Sequence, residues 1–398
     1  MKRILPFMFL GFMSMACGSD PQTQTETKIS EDGFAYAKDN GSIVLPEGFK
    51  AVVVADDLGR ARHITVRDNG DVYINLYKES NGGGLVALRD TNKDGIADIK
   101  EYFAKGGGTG IGIYNNALYY SIDKEGEIYR IPFNGDELVP SGTEELIINL
   151  EKQTQHEAHS LAFDGVGNIY VNIGAPSNSC QDPDRVKETP GQDPCPLLAE
   201  HGGIWKFSAT TPGQTVTSGT RYATGIRNAV GITWNTSLNK LYAMQHGRDQ
   251  LYDHWPEYYT REQSTELPSE EMFEIEEGDD FGWPYCYFDH LQNKKLLNPE
   301  YGGDGEKVGR CADKKDPVMG FPGHWAPNGI AFYTGDQFPA IYKNGAFIAF
   351  HGSWNRAPEP QAGYKVVFVP YENGSPKGGF DDFANQFAND GGVVDSPG

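Results

Sequence analysis

The sequence has few basic residues, few hydrophobic residues and no long apolar run. Only 34 of its 398 residues are Lys or Arg, against 55 Asp or Glu, which gives a formal net charge of -21. A chain this acidic repels a phosphate backbone, so nucleic-acid binding is excluded. No apolar run reaches the roughly 18 residues that a spanning helix needs, so a membrane-spanning helix is excluded as well.

Several motifs that would identify a cofactor or a reaction are also missing. The sequence contains no P-loop, no Rossmann glycine pattern, no haem-binding C-x-x-C-H and no G-x-S-x-G elbow. A nucleotide cofactor is therefore not expected. The absence of C-x-x-C pairs and of close Cys/His groupings disfavours zinc.

The residues that are abundant favour β-structure. The chain has 49 Gly, 24 Pro and 12% aromatic residues, whereas hydrophobic residues make up only 38%. This composition is too rich in turn residues for a helical bundle and too aromatic for a disordered chain. An all-β fold is therefore predicted, and closed β architectures often reach this length as one unit.

The N-terminus has the pattern of an export signal. Met1, Lys2 and Arg3 precede an apolar stretch, and small residues lead to Cys17. This pattern predicts a lipoprotein-type signal over residues 1–16, a lipid on Cys17, a polar tether over residues 17–40 and a catalytic domain over residues 41–398. We therefore expect a bacterial cell-envelope protein on the periplasmic side, anchored to a membrane through its lipid. Ser14 departs from the lipoprotein pattern, and a cleaved signal with an incidental Cys is the alternative.

The other four cysteines are expected to form disulfides in such an oxidising compartment. Cys180 and Cys195 bracket one insertion, and Cys286 and Cys311 bracket another loop. These local pairings are favoured among the three possible connectivities.

Repeats indicate the architecture. Five stretches share an apolar strand, a turn with Asp, Asn or Gly, and a second strand with aromatic or β-branched residues, which is the pattern of a hairpin. They begin at Arg62, Thr109, Ala158, Ala229 and Asn328, and a further strand follows each hairpin. Successive antiparallel strands repeating at about 45 residues are typical of propeller blades.

The start and end of the chain decide the predicted blade number. The segment from Phe49 to Leu58 is predicted as a lone strand of the kind that seals the final blade, whereas the inner strands of such a blade are missing after Phe387. We therefore predict a six-bladed propeller whose last blade is incomplete, with a five-bladed ring as the alternative. Insertions around residues 176–200 and 248–325 are expected to elaborate a binding face.

One loop matches the calcium pattern D-x-[DN]-x-[DN]-G-x5-E. Oxygen ligands at alternating positions, a Gly at the bend and a final carboxylate suit the oxygen shell of Ca2+. The predicted ligands of this structural site are Asp90, Asn92, Asp94, Ile96, Asp98 and Glu101. A hairpin turn on a solvated rim is the alternative, and the site lies between outer strands in either case.

Polar clusters recur where the chain enters successive inner strands. His156, Glu157 and His159 precede one such strand, and Arg227-Asn228 stands at the same place in the next repeat. Inner strands face the central axis of a propeller, so these residues are expected at the mouth of its channel.

Three further clusters fall at the same ends. The segment Gln245-His246-Gly247-Arg248-Asp249, followed by Pro268-Ser-Glu270-Glu271, offers backbone oxygens on a Gly turn and a nearby acid, which could hold a cation. The other two clusters run from His324 to Asn328 and from His351 to Arg356. The alternative for all of these clusters is packing, which also places Trp and His at such positions.

Between about Leu45 and Phe387 the sequence resembles the soluble quinoprotein sugar dehydrogenases, in particular their sorbosone dehydrogenase-like branch. The most specific stretches are Gly225-IRNAVGI, His246-GRDQL, Leu267-PSEEMFEIEEGDDFGWPYCYFD, His324-WAPNGIAFYTG and Ala349-FHGSWNR. The resemblance implies a six-bladed propeller of the quinoprotein glucose dehydrogenase type. It also implies pyrroloquinoline quinone (PQQ) and a catalytic Ca2+ as cofactors.

The resemblance further implies roles for individual residues. His156 matches the general base, and Arg227 and Asn228 match a pair that contacts the quinone. Glu271, with main-chain oxygens of Gly247 and Arg248, matches the catalytic Ca2+ site. Trp325 and Arg356 match, more loosely, a wall and an anion contact for the cofactor. The missing last blade is the main departure, because in the family it supplies a further cofactor-binding Arg.

The sequence therefore predicts an oxidoreductase that acts on an aldose or a related sugar aldehyde or alcohol, such as sorbosone, and passes electrons to a cytochrome or a membrane quinone. Two alternatives use the same fold. One is a calcium-dependent hydrolase of the lactonase type. The other is a carbohydrate-binding propeller without catalytic activity.

Overall fold

The computed structural model describes residues 28–388, and five of their sheets, which we call blades 1 to 5, each contain four successive antiparallel strands, with a fifth short strand added to blade 3. A short hairpin of β1 (Lys28–Ile29) and β2 (Ala35–Tyr36) comes first. Blade 1 contains β3 (Ala61–Val66), β4 (Val72–Ser80), β5 (Gly83–Arg89) and β6 (Ile99–Phe103). Blade 2 contains β7 (Ile111–Tyr114), β8 (Ala117–Ile122), β9 (Glu127–Pro132) and β10 (Glu145–Asn149). Neighbouring strands in both blades are antiparallel.

The later blades carry the insertions. Blade 3 contains β11 (Leu161–Phe163), β12 (Asn168–Ile173), β13 (Gly203–Ser208) and β14 (Thr220–Thr224). Blade 4 begins with β15 (Ala229–Asn235) and β16 (Lys240–Gln245), and after the helices α1 (Leu251–His254) and α2 (Arg261–Glu266) it continues with β17 (Glu270–Ile275). The insertion strands β18 (Asp279–Asp280), which pairs with β14, β19 (Cys286–Asp289) and β20 (Lys294–Leu297) precede β21 (Met319–Phe321), the last strand of blade 4.

Blade 5 completes the described chain. It contains β22 (Pro327–Phe332), β23 (Ala346–Phe350), β24 (Lys365–Val369) and β27 (Asp381–Ala384), with the small hairpin β25 (Tyr371–Glu372) and β26 (Ser375–Pro376) before its last strand. Short 3-10 helices span Lys38–Ser42, Asp123–Glu125, Pro196–Ala199, Val216–Ser218, Pro299–Tyr301, Gly309–Asp313, Ala340–Tyr342 and Trp354–Arg356. Within residues 28–388, no helix has the length and apolar character to cross a bilayer.

The predicted all-β propeller is confirmed, and each of the five predicted hairpins forms the first two strands of one blade. The strands follow the predicted pattern because alternating residues bury one face of each sheet against the next blade. Both local disulfides, Cys180–Cys195 and Cys286–Cys311, are formed as favoured.

Equivalent aliphatic residues on the inner strands pack the blades together. Ile111, Leu161, Ile232 and Ile330 occupy the same repeat position, and each is 7–9% exposed. Ile111, for example, packs against residues of β4 and β5 in blade 1, and Ile330 packs against residues of β16 in blade 4. Each blade is therefore covered on one face by the blade that precedes it.

Blade 1 departs from this rule. Ile64, the equivalent residue of β3, is 62% exposed, and Val66 on the same face is 55% exposed. A cavity of about 500 Å³ is lined by the inner strands of all five blades, and it extends between Ile64 and the face of blade 5 formed by Ala331, Phe347, Ala349 and Val366. We call this last part, between blades 5 and 1, the seam. Five blades are found where six were predicted, and the ring is open on the side where the incomplete blade was expected.

The predicted lone strand from Phe49 to Leu58 does not form. Its residues have no strand conformation, and the one bridge near it joins Val44 to Asn385. The ring of Phe49 lies 4.9 Å from that of Phe338 in blade 5, and Leu58 packs against the core of blade 1. Between them, the carbonyl oxygens of Ala51 and Val54 accept from the N–H groups of Ala37 and Ala97, each at 2.8 Å. The segment therefore crosses from blade 5 to blade 1 with isolated backbone bonds and without adding a strand.

The predicted signal and Cys17 lie outside the described residues, as does the first part of the tether. Residues 28–40, which were assigned to that tether, pack against blade 1 instead. Ala35 is 2% exposed and its N–H donates to the carbonyl oxygen of Asp94 at 2.8 Å. The polar composition of this segment concealed two small buried residues, Ala35 and Ala37.

Candidate functional site

The residues that precede the inner strands meet around one cavity of about 280 Å³. All five blades contribute to its lining: Arg62, Tyr77, Thr109, Asp123, His156, Glu157, Ala158, Asn228, Val230, His246, Ala326, Asn328 and His351. We call this space the mouth cavity. The expectation that polar clusters of successive repeats share one mouth is therefore confirmed, and below them the channel wall becomes aliphatic.

His156 is held in the orientation that a base requires. Its Nδ1 lies 2.5 Å from the carbonyl oxygen of Ala175, so Nδ1 carries the proton and donates it there. The other nitrogen, Nε2, is then an acceptor on a side chain that lines the mouth cavity. Burial, reinforced by the charge of Arg227, lowers the pKa of His156 to about 3. The imidazole is therefore neutral at physiological pH.

The backbone around His156 is fixed by Gln153. His156 has a backbone φ of 52°, and a positive φ is uncommon for a residue other than glycine. The Gln153 side chain donates to the carbonyl oxygens of Gln155 at 2.8 Å and of His156 at 2.7 Å. These bonds close the loop around an unusual conformation, which positions the imidazole.

Gly174 sets the approach of His156 to Asn228. A Cβ atom at position 174 would lie 2.5 Å from the oxygen of His156 and 2.9 Å from Oδ1 of Asn228. Only glycine therefore fits between these two residues. The Oδ1 atom of Asn228 also accepts from Nδ2 of Asn172 at 3.0 Å, which fixes its amide.

Arg227 lies behind this wall rather than on it. Its guanidinium is 3% exposed and donates to Asp249 at 2.8 Å, to the carbonyl oxygen of Gly247 at 2.9 Å and to Asn178 at 3.1 Å. The Nε atom is buried and has no partner among residues 28–388. Arg227 does not line the mouth cavity, so the predicted contact between its guanidinium and a quinone stays a prediction.

Asp249 is the anionic partner of two arginines. It accepts from Arg185 at 2.8 Å as well as from Arg227, and its other oxygen accepts from Asn355 at 2.7 Å. Although burial opposes ionisation, the two guanidinium groups hold the pKa of Asp249 well below its usual range. The two arginines neutralise the buried negative charge of Asp249, which would otherwise destabilise the fold.

The predicted catalytic calcium ligands do not come together. Glu271 accepts from Gln245 at 2.8 Å and pairs with the buried Lys295 at 3.2 Å, so it faces away from Gly247. Its neighbour Glu270 faces Gly247 instead and accepts from that residue's N–H at 2.9 Å. Burial raises the pKa of Glu270 to about 7. Successive residues of a strand such as β17 point to opposite faces of the sheet. The acid that faces Gly247 is therefore Glu270, and the predicted Glu271 is one residue away on the other face.

Arg248, Trp325 and Arg356 also have other partners. The side chain of Arg248 forms a buried ion pair with Glu300, and the role of its main-chain oxygen as a calcium ligand stays a prediction. The indole of Trp325 lies in the core between blades 4 and 5, and Arg356 donates to three carbonyl oxygens and pairs with Glu266 at 2.6 Å. The predicted wall and anion contact are therefore packing residues.

The predicted structural calcium loop lies between β5 and β6, as expected. Its acids accept hydrogen bonds from the loop itself: Asp90 from the N–H groups of Lys93 at 2.6 Å and Gly95 at 2.7 Å, and Asp98 from Thr91 at 2.5 Å. Asn92 and Asp94 form similar local bonds, Ile96 is part of the bend, and Glu101 lies exposed on β6. In the described part of the chain, no three His, Cys, Asp or Glu side chains are grouped closely enough to hold a metal ion.

Arg62 is a functional candidate that the sequence analysis did not select. It lines the mouth cavity, and its buried Nε has no partner among the described residues. His63 and His246 lie beside it, and burial lowers the pKa of each to about 4. The repeat position was the available signal, since Arg62 stands two residues before Ile64 as His159 stands two residues before the equivalent Leu161.

Comparison with known proteins gives one family and several relatives. The family model described as TrAA12-like matches residues 43–388. An uncharacterized protein of Borreliella burgdorferi is 26% identical over 355 residues, which cover 87% of this chain and 81% of that protein. A "Pyrroloquinoline quinone-dependent pyranose dehydrogenase" of Coprinopsis cinerea is 30% identical over 162 residues, which cover 37% of this chain and 21% of that enzyme.

Solved structures share the fold. The calcium structure of the Trichoderma reesei family AA12 enzyme has a TM-score of 0.69 and 19% identity, covering 86% of this chain and 87% of that one. The holo form of the pyranose dehydrogenase PQQ domain from Coprinopsis cinerea has a TM-score of 0.69 and 18% identity, covering 86% of both chains. The predicted resemblance to PQQ-dependent sugar dehydrogenases is confirmed at this level, whereas the sorbosone branch stays a prediction.

Proposed function

The chain belongs to the TrAA12-like family, and on this premise we propose that it is a PQQ-dependent dehydrogenase that oxidises a pyranose or a related aldose in the mouth cavity. One observation carries the proposal: the His156 imidazole is locked with Nδ1 protonated, which directs a free Nε2 acceptor into a cavity lined by all five blades. A neutral imidazole placed in this way is suited to take a proton from a sugar hydroxyl.

The mouth cavity fits an anionic quinone with several carboxylates. Arg62 lines this cavity with a buried Nε that has no partner among the described residues, and anionic oxygens are strong acceptors for such a group. Asn228 and His246 add polar groups on the same wall. Bound PQQ would supply a two-electron acceptor for the hydrogen that leaves the sugar carbon as hydride.

The protein residues then act on the substrate hydroxyl. His156 Nε2 accepts the hydroxyl proton, and the bond from Nδ1 to Ala175 keeps the ring in the required tautomer. Arg227 is a positioning residue, since its pairing with Asp249 and Gly247 fixes the segment that carries Asn228. A nearby anion would raise the pKa of His156 from about 3 and so strengthen it as a base.

The protein side chains alone do not fit a catalytic Ca2+. The predicted acid Glu271 is paired with Lys295, which leaves Glu270 and the main-chain oxygens of Gly247 and Arg248 as candidate ligands. These three groups are too few for a calcium shell. We therefore assign no step to calcium, and the experiment below tests it as a separate addition.

The finer assignments remain part of this proposal. We propose a sorbosone-like sugar as one candidate substrate and a cytochrome or a membrane quinone as the electron acceptor. The proposed location is the periplasmic side of a bacterial envelope, with a lipid on Cys17. The acidic body, with 55 Asp and Glu residues against 34 Lys and Arg, supports an electron acceptor with a basic docking face.

Reconstitution tests the proposal directly. The full chain is titrated with PQQ, with and without Ca2+, and dye reduction is then measured with a panel of aldoses and sorbosone. We expect PQQ-dependent oxidation of at least one sugar. His156→Gln is expected to lower kcat by about 10²–10⁴-fold while PQQ still binds, as measured by calorimetry. His201→Gln is the matched control, because His201 lies outside the mouth cavity.

Two results would contradict the proposal. One is the absence of PQQ binding by the folded chain. The other is full activity of the His156→Gln variant, which would remove the base from the mechanism. Hydrolysis of a lactone with calcium and without PQQ would show the alternative hydrolase instead.

A further inference from the structure

A second concavity contains Asn355, whose side chain donates to Asp249 at 2.7 Å. It has a volume of about 110 Å³ and lies where helices α1 and α2 meet the loop that follows β23. Its functional side chains are Gln250, Tyr252, Asp253, Arg261, Trp354 and Asn355. We call it the rim groove.

Trp354 is the apolar surface of the rim groove. The indole is 67% exposed, whereas Trp205 and Trp283 are each 3% exposed and Trp325 is 8% exposed. All six tryptophans lie within the described residues, and Trp354 alone among them is exposed. A large aromatic ring left in water beside a concavity marks a ligand surface.

The polar side chains around this ring suit a neutral ligand with several hydroxyls. Asp253 and Arg261 are both exposed and carry opposite charges, so their charges offset each other in the groove. Arg261 lies over the ring of Tyr252 at 4.6 Å, which restrains its guanidinium. Carboxylate, guanidinium and amide groups are planar and can each bond two neighbouring hydroxyls.

A hydrogen-bond chain connects the rim groove to the candidate active site. Asn355 donates to Asp249 at 2.7 Å, and Asp249 accepts from Arg227 at 2.8 Å. Arg227 in turn precedes Asn228, which lines the mouth cavity. Two residues, Asp249 and Arg227, thus separate Asn355 of the groove from Asn228 of the mouth cavity along this chain.

We propose that the rim groove is a saccharide subsite that binds one pyranose ring of a neutral oligosaccharide. The apolar face of the ring stacks on Trp354, and its hydroxyls bond Asp253, Arg261 and Gln250. Oxidation of that oligosaccharide rests on the proposed function, because its terminal sugar would have to enter the mouth cavity. Binding of the oligosaccharide in the rim groove does not depend on the proposed function.

Binding is tested on the full chain without PQQ. Cellotetraose, maltotetraose, xylotetraose and mannotetraose are titrated by calorimetry into the wild type and into Trp354→Ala. We expect at least one of them to bind and Trp354→Ala to weaken that binding by tenfold or more. Trp354→Phe is expected to recover part of the loss, since a smaller ring still stacks. Tyr258→Ala is the matched control, because Tyr258 is 37% exposed and lies outside the groove.

Kinetics with PQQ separate this proposal from the proposed function. Trp354→Ala is expected to raise KM for the oligosaccharide that binds by tenfold or more and to leave KM for its monosaccharide unchanged. Binding that depends on Trp354 without any oxidation would support the subsite and contradict the proposed function. No binding of the four oligosaccharides, or equal binding by Trp354→Ala, would overturn the subsite.

Discussion

The interface between blades 4 and 5 and the seam between blades 5 and 1 use the same repeat positions with opposite results. Ile330 is 9% exposed in the first, and Ile64 is 62% exposed in the second. The two residues occupy equivalent places on β22 and β3. Burial therefore depends on whether a preceding blade covers the strand, and the sequence of the strand does not decide it.

The seam lacks the apolar packing of the other interfaces, although it shares a polar contact with them. At the mouth, His63 Nε2 lies 2.6 Å from the carbonyl oxygen of Asn328, which joins blade 1 to blade 5. The interface of blades 4 and 5 has an equivalent contact, since His246 Nε2 lies 3.1 Å from the carbonyl oxygen of Pro327. On the outside of the seam, the segment from Val44 to Leu58 crosses between blades 5 and 1 in place of apolar burial.

Ile330→Ala and Ile64→Ala test the difference most strongly. We expect the first to lower the free energy of unfolding by about 3 kcal/mol, because it leaves a cavity in a packed interface. We expect the second to cost less than about 1 kcal/mol, since its side chain is already in water. Urea unfolding of both variants measures this, and equal losses would show that the seam is closed in solution.

The buried histidines at the two interfaces predict acid sensitivity. Burial lowers the pKa of His63 and of His246 to about 4, so the unfolded chain binds their protons first as pH falls below about 6.5. The contribution of each histidine to the free energy of unfolding is therefore fully present above about pH 6.5. It falls by up to about 3 kcal/mol for each residue as the pH is lowered to about 4. His63→Gln is expected to reduce the slope of stability against pH by about one proton in this window.

Glu270 is expected to affect the slope of stability against pH in the opposite direction. Its pKa is raised to about 7, so the folded state keeps a proton that the unfolded state loses above about pH 4.5. Glu270→Gln is therefore expected to steepen the rise of stability between pH 4.5 and 6.5 by about one proton. An unchanged slope in both variants, measured by thermal unfolding across this range, would contradict the assigned burial.

Phe49→Ala tests the crossing segment. The ring of Phe49 lies within 4.9–5.4 Å of the rings of Phe338, Tyr342 and Phe383. Its removal is expected to cost about 2 kcal/mol. Val53→Ala in the same segment is the control, because Val53 is 43% exposed. Equal unfolding midpoints in urea for Phe49→Ala and the wild type would mean that the segment does not hold the seam.

Val66→Thr gives the smallest expected effect. Val66 is 55% exposed on β3, so the change is expected to alter the free energy of unfolding by less than about 0.5 kcal/mol. Urea unfolding measures it. A loss above about 1 kcal/mol would show that β3 is covered in solution.

Features of the fold that involve residues close together in the sequence could be predicted. Features that depend on contacts between distant parts of the chain could not. The hairpin at Arg62 and the disulfide Cys180–Cys195 follow from patterns within a few dozen residues. The segment from Phe49 to Leu58 has strand composition, yet it forms no strand, because its backbone makes isolated bonds and not the run of paired bonds that a strand requires.

The candidate site shows the same division. His156 and Asn228 were found because they precede inner strands, and a propeller gathers such positions at one mouth. Arg62 and Gln153 were missed, since their importance depends on an unpaired nitrogen and on carbonyl oxygens that no sequence pattern displays. Arg227 was placed correctly in the chain, but its pairing with Asp249 depends on an insertion from another part of the blade.

The sequence by itself determined the blades, their order, the disulfides and the end of the ring where polar residues meet. Only the tertiary structure decided that Glu270 faces Gly247 while Glu271 pairs with Lys295, and that Ile64 lies in water. The physical reason is that alternation along a strand fixes which residues share a face, whereas the packing of neighbouring blades fixes what that face meets.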